Sequence, residues 1–122
     1  MKPSDAEKII DQYLSALVSG DLAAVLALYA DDATVEDPVG SPVIQGREAL
    51  AAFYQVAVDS VSAAQTTGAV RCAGNEFTVP FFIEASLGAT VAIEIIDHFV
   101  VDDEGKITAM RAFWSKENVR PI

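Results

Sequence analysis

Apolar residues in the N-terminal half of the chain recur every three or four positions, which is the spacing of amphipathic helices. The first predicted helix starts at an S-x-x-E capping box formed by Ser4 and Glu7 and stops at Ser19-Gly20. Asp21 is predicted to cap a second helix that extends through Ala30. The apolar stripes are Ile10, Tyr13, Leu14 and Leu17 in the first helix and Leu22, Val25, Leu26 and Tyr29 in the second. Two such stripes are expected to pack as a helical hairpin.

A third helix, from Arg47 to Val58, carries Leu50, Phe53, Tyr54 and Ala57 on one side. Beyond Ser62 the chain becomes rich in Val, Thr, Ile and Phe, which favours strands separated by glycine-containing turns. The predicted strands are Thr66 to Ala73, Glu76 to Ser86, Ala89 to Val101 and Lys106 to Ser115. Helices followed by an antiparallel meander indicate a single α+β domain spanning residues 1–122. We expect the sheet to curl around the helices and leave a conical hollow.

The long third strand of this set has one acidic residue in phase with its apolar side chains. By two-residue alternation, one face holds Val91, Ile93, Ile95, Asp97, Phe99 and Val101, and the other holds Ala92, Glu94, Ile96, His98 and Val100. A carboxyl on the apolar face must be paired, hydrogen-bonded or protonated, because an isolated buried carboxylate is very costly. Asp97 is therefore either a functional acid or half of a salt bridge with Arg111 on the next strand. His98, on the opposite face, is expected to pack or meet solvent.

A second acid of interest lies in the segment LYADDATVEDPVG, where Asp37 precedes Pro38. The proline ring disfavours helical backbone at the preceding residue, so Asp37 is expected in an extended conformation that suits a positioned base. Glu36 should point to the opposite face, so only one of the two acids faces inward. An ordinary acidic turn in solvent is the alternative interpretation.

Composition narrows the classes of partner. Eight basic and 18 acidic residues give a net charge of −10 and a pI near 4.2, which argues against nucleic acid and anionic membrane surfaces. A hydrophobic content of 52% is consistent with an apolar cavity and an apolar substrate. One cysteine, Cys72, and one histidine cannot form the usual zinc sites or an intrachain disulfide. No signal-like or membrane-spanning segment is evident, which predicts a cytoplasmic protein.

Five segments together resemble the Δ5-3-ketosteroid isomerase family: QYLSAL, LYADDATVEDPVGS, AAFYQ, IIDHF and FWSKENV. The resemblance is collinear and covers nearly the whole chain, although it is weakest from Val58 to Thr78. It implies a nuclear-transport-factor-two-like, or cystatin-like, cone that works as a homodimer on a steroid without a cofactor.

The resemblance also implies roles for individual residues. Asp37 falls on the proton-shuttling base, and Tyr13 and Asp97 fall on the donors to the substrate oxyanion. In ketosteroid isomerases a neutral carboxylic acid is known to donate a hydrogen bond, and the resemblance implies that role for Asp97. Tyr29 and Tyr54 match supporting tyrosines that some members link to the first-helix Tyr, and the positions that correspond roughly to the cavity wall are Phe81, Phe99 and Trp114.

The residues agree with this chemistry. Moving a double bond into conjugation with a ketone needs one base that removes and returns a proton, and acids aimed at the dienolate oxygen in a water-poor cavity. Two alternatives stay open. A cone-fold epoxide hydrolase or cyclase acting on another apolar substrate would be favoured by an inward Asp97–Arg111 pair, and a non-catalytic ligand-binding module by an ionised, solvent-open Asp37.

Overall fold

The computed structural model describes residues 1–122 as three α-helices and a large curved sheet that does not close. The helices are α1 (Pro3–Ser19), α2 (Leu22–Ala27) and α3 (Arg47–Ser60), and a 3₁₀ turn spans Lys116–Asn118. The strands are β1 (Tyr29–Glu36), β2 (Ile44–Gln45), β3 (Val61–Thr66), β4 (Arg71–Ala73), β5 (Glu76–Leu87), β6 (Ala89–Val101), β7 (Ile107–Phe113) and β8 (Val119–Pro121). The predicted α+β cone is confirmed. No helix has both the length and the apolar character needed to cross a membrane.

The sheet follows the order β2-β1-β7-β6-β5-β3, with β4 added to β5 and β8 added to β6. The meander of β5, β6 and β7 is antiparallel as predicted. The sheet as a whole is mixed, however, because β1 runs parallel to β7. This long-range pairing places the segment that ends in Asp37 beside the last long strand.

The N-terminal half departs from the prediction at two places. Helix α1 begins two residues earlier than the Ser4–Glu7 box requires, because Pro3 suits the first helical position and the Asp5 carboxylate accepts the backbone N–H of Lys2 at 3.0 Å. Asp21 does cap α2, since its Oδ1 accepts the N–H of Ala24 at 3.0 Å. The helix ends at Ala27 rather than Ala30, because the following residues join the sheet instead.

The predicted strand from Thr66 to Ala73 is also divided in the structure. It becomes the end of β3 and the separate β4, and the two strands pair with different parts of β5. Gly68 lies between them, where an added Cβ would be 2.9 Å from Cγ of Pro80. The backbone therefore bends at the residue that can pass close to β5, and the interruption follows from that approach.

One continuous core fills the space between the helices and the inner face of the sheet. The predicted alternation of β6 is confirmed in its central part, where Ile93, Ile95, Asp97, Phe99 and Val101 are buried while Ile96 is 48% exposed. Asp97 is the one polar residue in the buried set. The fold thus encloses one carboxyl group, that of Asp97, among mostly apolar side chains.

Candidate active site

Three tyrosines from three different elements meet inside the core. Tyr13 comes from α1, Tyr29 from the start of β1 and Tyr54 from α3, and all three are buried. The hydroxyl oxygens of Tyr13 and Tyr54 are 2.9 Å apart, and Tyr54 also hydrogen-bonds Tyr29. If Tyr29 donates to Tyr54 and Tyr54 donates to Tyr13, the Tyr13 proton stays free for a ligand.

Burial raises the pKa of all three tyrosines well above its ordinary value, so their hydroxyls remain protonated. The position of Tyr13 is fixed further by an edge-to-face contact with Phe99, whose ring centroid is 5.5 Å away at an interplanar angle of 77°. Phe99 in turn stacks on Phe77 at 4.9 Å. The hydroxyl of Tyr13 is therefore held by packing as well as by hydrogen bonds.

Asp97 lies between Ile95 and Phe99 on the inner face of β6 and is only 2% exposed. Its carboxyl oxygens have no hydrogen-bond partner in the protein. Every side-chain oxygen or nitrogen that is fully enclosed in this protein does have a partner. The oxygens must therefore retain a small solvent-accessible area. Burial, reinforced by the negative charge of Asp37, raises the pKa of Asp97 well above its ordinary value. A neutral Asp97 can donate a hydrogen bond, which a carboxylate cannot.

Arg111 does not pair with Asp97, so the salt bridge considered in the sequence analysis is wrong. In the register of β6 and β7, Arg111 lies opposite His98 on the outer face, while Asp97 lies opposite Ala112. The Arg111 guanidinium instead donates from Nε to Oε1 of Glu36 at 2.9 Å. His98 contacts Glu76 at 2.7 Å on that outer face, away from the buried acids.

Asp37 follows β1 directly, outside any helix, and is half-buried. Its Oδ1 accepts a hydrogen bond from the indole Nε1 of Trp114 at 2.7 Å. Burial raises the pKa of Asp37, and the Trp114 hydrogen bond opposes that shift. The neighbouring Glu36 behaves oppositely, because the N–H of Gly40 first and Arg111 second lower its pKa. The expectation that the two acids point to opposite faces is confirmed.

The three residues suggested for the cavity wall have different environments. Phe81 is buried on the inner face of β5, Phe99 is fully buried behind Tyr13, and Trp114 is partly buried. The hydrogen bond from Trp114 to Asp37 is a contact that sequence reasoning missed. The alternation of β7 could have placed Trp114 on the inner face, because Trp114 is in phase with the buried Met110 and Ala112.

A groove of about 630 Å³ opens beside β6, where that strand has no partner between Phe113 of β7 and Val119 of β8. Its lining residues are Thr67, Pro80, Phe81, Glu94, Ile95, Ile96, Phe113, Trp114, Ser115 and Asn118. It reaches Phe81 and Trp114 but not Asp37, Tyr13 or Asp97. The candidate site is therefore identified by its buried polar groups, not by the size of a surface groove. No cluster of three or more His, Cys, Asp or Glu side chains has the arrangement of a metal site.

A curved open sheet packed on three helices, with tyrosine hydroxyls and two acids in its interior, defines an α+β cone with an enzyme-like site. Residues 10–110 match the SnoaL-like domain, and the chain belongs to this family of nuclear-transport-factor-two-like proteins.

Two relatives extend this finding. The chain is 36% identical over 113 residues to the Steroid Delta-isomerase of Nocardioides simplex, with 92% of the chain and 91% of the relative covered. It also resembles the solved structure of SalBIII, an epoxide hydrolase/cyclase-like enzyme with a role in pyran ring formation in the polyether salinomycin. That similarity has a TM-score of 0.87 and 27% sequence identity, over 95% of each chain. The first relative supports isomerase activity, and the second shows that this fold also carries other reactions.

Proposed function

We propose that the protein is a steroid Δ-isomerase that converts a Δ5-3-ketosteroid into its conjugated Δ4 isomer. The observation that carries the proposal is the placement of a buried, unpartnered Asp97 carboxyl in the same interior as the protonated Tyr13 hydroxyl and the half-buried Asp37. Similarity to a steroid isomerase over nine-tenths of the chain supports the choice of substrate class.

In the proposed reaction the Asp37 carboxylate removes a proton from the carbon between the ketone and the double bond. The C–H electron pair forms a double bond to the carbonyl carbon, and the carbonyl π pair moves onto oxygen. The resulting dienolate oxygen receives hydrogen bonds from Tyr13 and neutral Asp97. Such donors act most strongly when they are fixed and water is excluded. Protonated Asp37 then returns the proton to the far carbon of the former double bond. The proton is conserved, so the reaction needs no co-reactant.

In the deciding experiment, a Δ5-3-ketosteroid is incubated with purified protein, without added metal or cofactor, and the ultraviolet absorbance is recorded. We expect absorbance from the conjugated enone to grow in proportion to enzyme concentration. A matched sample of Asp37→Asn protein controls for trace contaminants. Absence of turnover by folded wild-type protein would contradict the proposed substrate class.

A second candidate function is hydrolysis or cyclisation of an epoxide, which the similarity to SalBIII favours. The feature expected for that function, an inward Asp97–Arg111 pair, is missing because Arg111 binds Glu36. A purely ligand-binding role, which a solvent-open Asp37 would favour, fits less well, because Asp37 is half-buried. Turnover of an apolar epoxide in the absence of steroid turnover would favour the second candidate.

The proposed enzyme is expected to be a homodimer that associates through the outer face of the sheet. Ile96 and Phe113 are neighbours in the β6–β7 register and are 48% and 45% exposed on that face. An uncovered apolar area of this kind is typical of an interaction surface. Analytical ultracentrifugation at micromolar concentration should give the mass of two chains, and a monomer would contradict this prediction.

A further inference from the structure

The turn that carries Asp37 is attached to the rest of the protein by few hydrogen bonds. The N–H of Val39 donates to the carbonyl of Ala112 at 2.8 Å, and the N–H of Gly40 donates to Oε2 of Glu36 at 2.9 Å. The carboxylate of Asp37 itself receives the Trp114 hydrogen bond. A turn of this kind can shift unless both of its ends are fixed.

Glu36 fixes one end from the outer side of the sheet. One carboxylate oxygen accepts the N–H of Gly40, and the other accepts Nε of Arg111, each at 2.9 Å. Glu36 and Arg111 are direct partners in the parallel register of β1 and β7. The Arg111 guanidinium also lies over the ring of Phe113, at 5.5 Å from the centroid. One side chain thus ties the turn to a strand whose own conformation is fixed by the sheet.

We infer that Glu36 and Arg111 form an outer clamp that positions the Asp37 carboxylate for proton transfer. Neither residue touches the substrate in this scheme, and both act through the turn. The inference rests on the proposed isomerase function for its kinetic consequence, but the clamp itself is testable without turnover. The clamp gives a positioning role to an ion pair that faces away from the site.

The physical reason is that proton transfer depends more steeply on position than folding depends on one surface ion pair. The Glu36 and Arg111 side chains are 21% and 45% exposed, and such pairs contribute little to folding stability. A misplacement of about 1 Å at a reacting group can lower a rate by about 10²-fold. Because the turn keeps its Val39 and Trp114 contacts, loss of the clamp is expected to cost less than that.

The main test compares Glu36→Ala, which removes both contacts, with Glu36→Gln, whose amide oxygen can still accept the Gly40 N–H. We expect kcat to fall by about 10-fold in Glu36→Ala and by less in Glu36→Gln, with KM nearly unchanged. Arg111→Ala should act on the same contact, so the double variant Glu36→Ala with Arg111→Ala should be no worse than the poorer single variant. Additive losses, or an unchanged kcat in Glu36→Ala, would overturn the clamp.

The chain offers a matched control on the same sheet. Arg120 binds Glu94 at 3.0 Å in another exposed ion pair, which has no contact with the Asp37 turn. Glu94→Ala should therefore keep the wild-type kcat and melting temperature. An equal loss in Glu94→Ala, or dissociation of Glu36→Ala in the ultracentrifuge where the wild type stays associated, would trace the effect to the outer face in general and overturn the clamp.

A readout independent of catalysis comes from Trp114, the only tryptophan in the chain. Its single indole N–H resonance reports the hydrogen bond to Asp37 directly. In ¹H–¹⁵N NMR spectra, Glu36→Ala should shift or broaden this resonance and speed hydrogen exchange at Gly40, whereas Glu94→Ala should do neither. If wild-type protein fails to isomerise the steroid, the proposed function fails while these spectra still decide the clamp. Spectra of Glu36→Ala identical to wild type at both positions would overturn it.

Discussion

Asp37→Asn is expected to reduce kcat of the steroid isomerisation by at least about 10²- to 10⁴-fold, the usual range for loss of a general base. Asn preserves the size of the side chain, and its amide oxygen can still accept the Trp114 hydrogen bond of 2.7 Å. What it cannot do is bind and return the proton. Since Asp37 serves in both halves of the proposed reaction, the loss should lie at or above this range.

Steady-state kinetics with the ultraviolet assay measures the effect, and thermal unfolding shows whether the variant is folded. Glu36→Gln is the matched control, because it neutralises the adjacent acid and should be mild by comparison. Near-normal turnover by Asp37→Asn would exclude Asp37 as the base.

The pH dependence has a definite sign. Asp37 must be ionised to accept a proton, and burial raises its pKa above the ordinary value for an aspartate. Activity is therefore expected to fall as pH decreases through this raised pKa. In a folded Asp37→Asn variant, the residual rate should no longer show that acidic limb. Persistence of the same limb would assign it to another group.

Much of the site could be predicted from local pattern alone. The two-residue alternation of β6 identified Asp97 as an inward acid, and the apolar stripes of α1 and α3 placed Tyr13 and Tyr54 toward the core. The proline after Asp37 excluded a helical conformation there. These inferences succeeded because each depends on residues close together in sequence. The roles of the residues, by contrast, came from the family resemblance.

The position of Tyr29 shows where local pattern fails. Its spacing after Leu22, Val25 and Leu26 fits a helix, yet α2 ends at Ala27 and Tyr29 pairs with Ile107 in the sheet. The backbone N–H of Ile107 donates to the carbonyl of Leu28 at 2.8 Å. A parallel pairing between segments this far apart overrides a short helical preference, and nothing in the local sequence reports it.

For Arg111, local pattern could predict the face of the sheet but not the ion-pair partner. Alternation along β7 could have placed Arg111 on the outer face, because Met110 and Ala112 beside it are buried. That alone would have removed Asp97 as its partner. Its actual partner, Glu36, depends on the register of two strands that are distant in sequence. The contacts that position Asp37 could therefore be identified only from the structure, although Asp37 itself could be identified from the sequence.

The second large effect is expected at Asp97, where Leu should be far more damaging than Asn. Loss of one oxyanion donor usually lowers kcat by about 10²- to 10³-fold, and this is the expected scale for Asp97→Leu. Asn retains an N–H donor of similar reach, so Asp97→Asn should keep clearly more activity. Both side chains are close to Asp in size, so the comparison separates hydrogen bonding from packing.

The same role predicts an alkaline loss of activity that is distinct from the acidic limb of Asp37. Burial and the charge of Asp37 raise the pKa of Asp97, and only the protonated form can donate to the dienolate oxygen. Turnover should fall as pH rises through that raised pKa, because two anions would then face a developing negative charge. The alkaline limb should be lost in Asp97→Asn. Carboxyl infrared or ¹³C NMR titration should find Asp97 neutral at pH 7 in the free protein. An ionised Asp97 under those conditions, or equal damage by Asn and Leu in folded variants, would rule out the neutral-donor role.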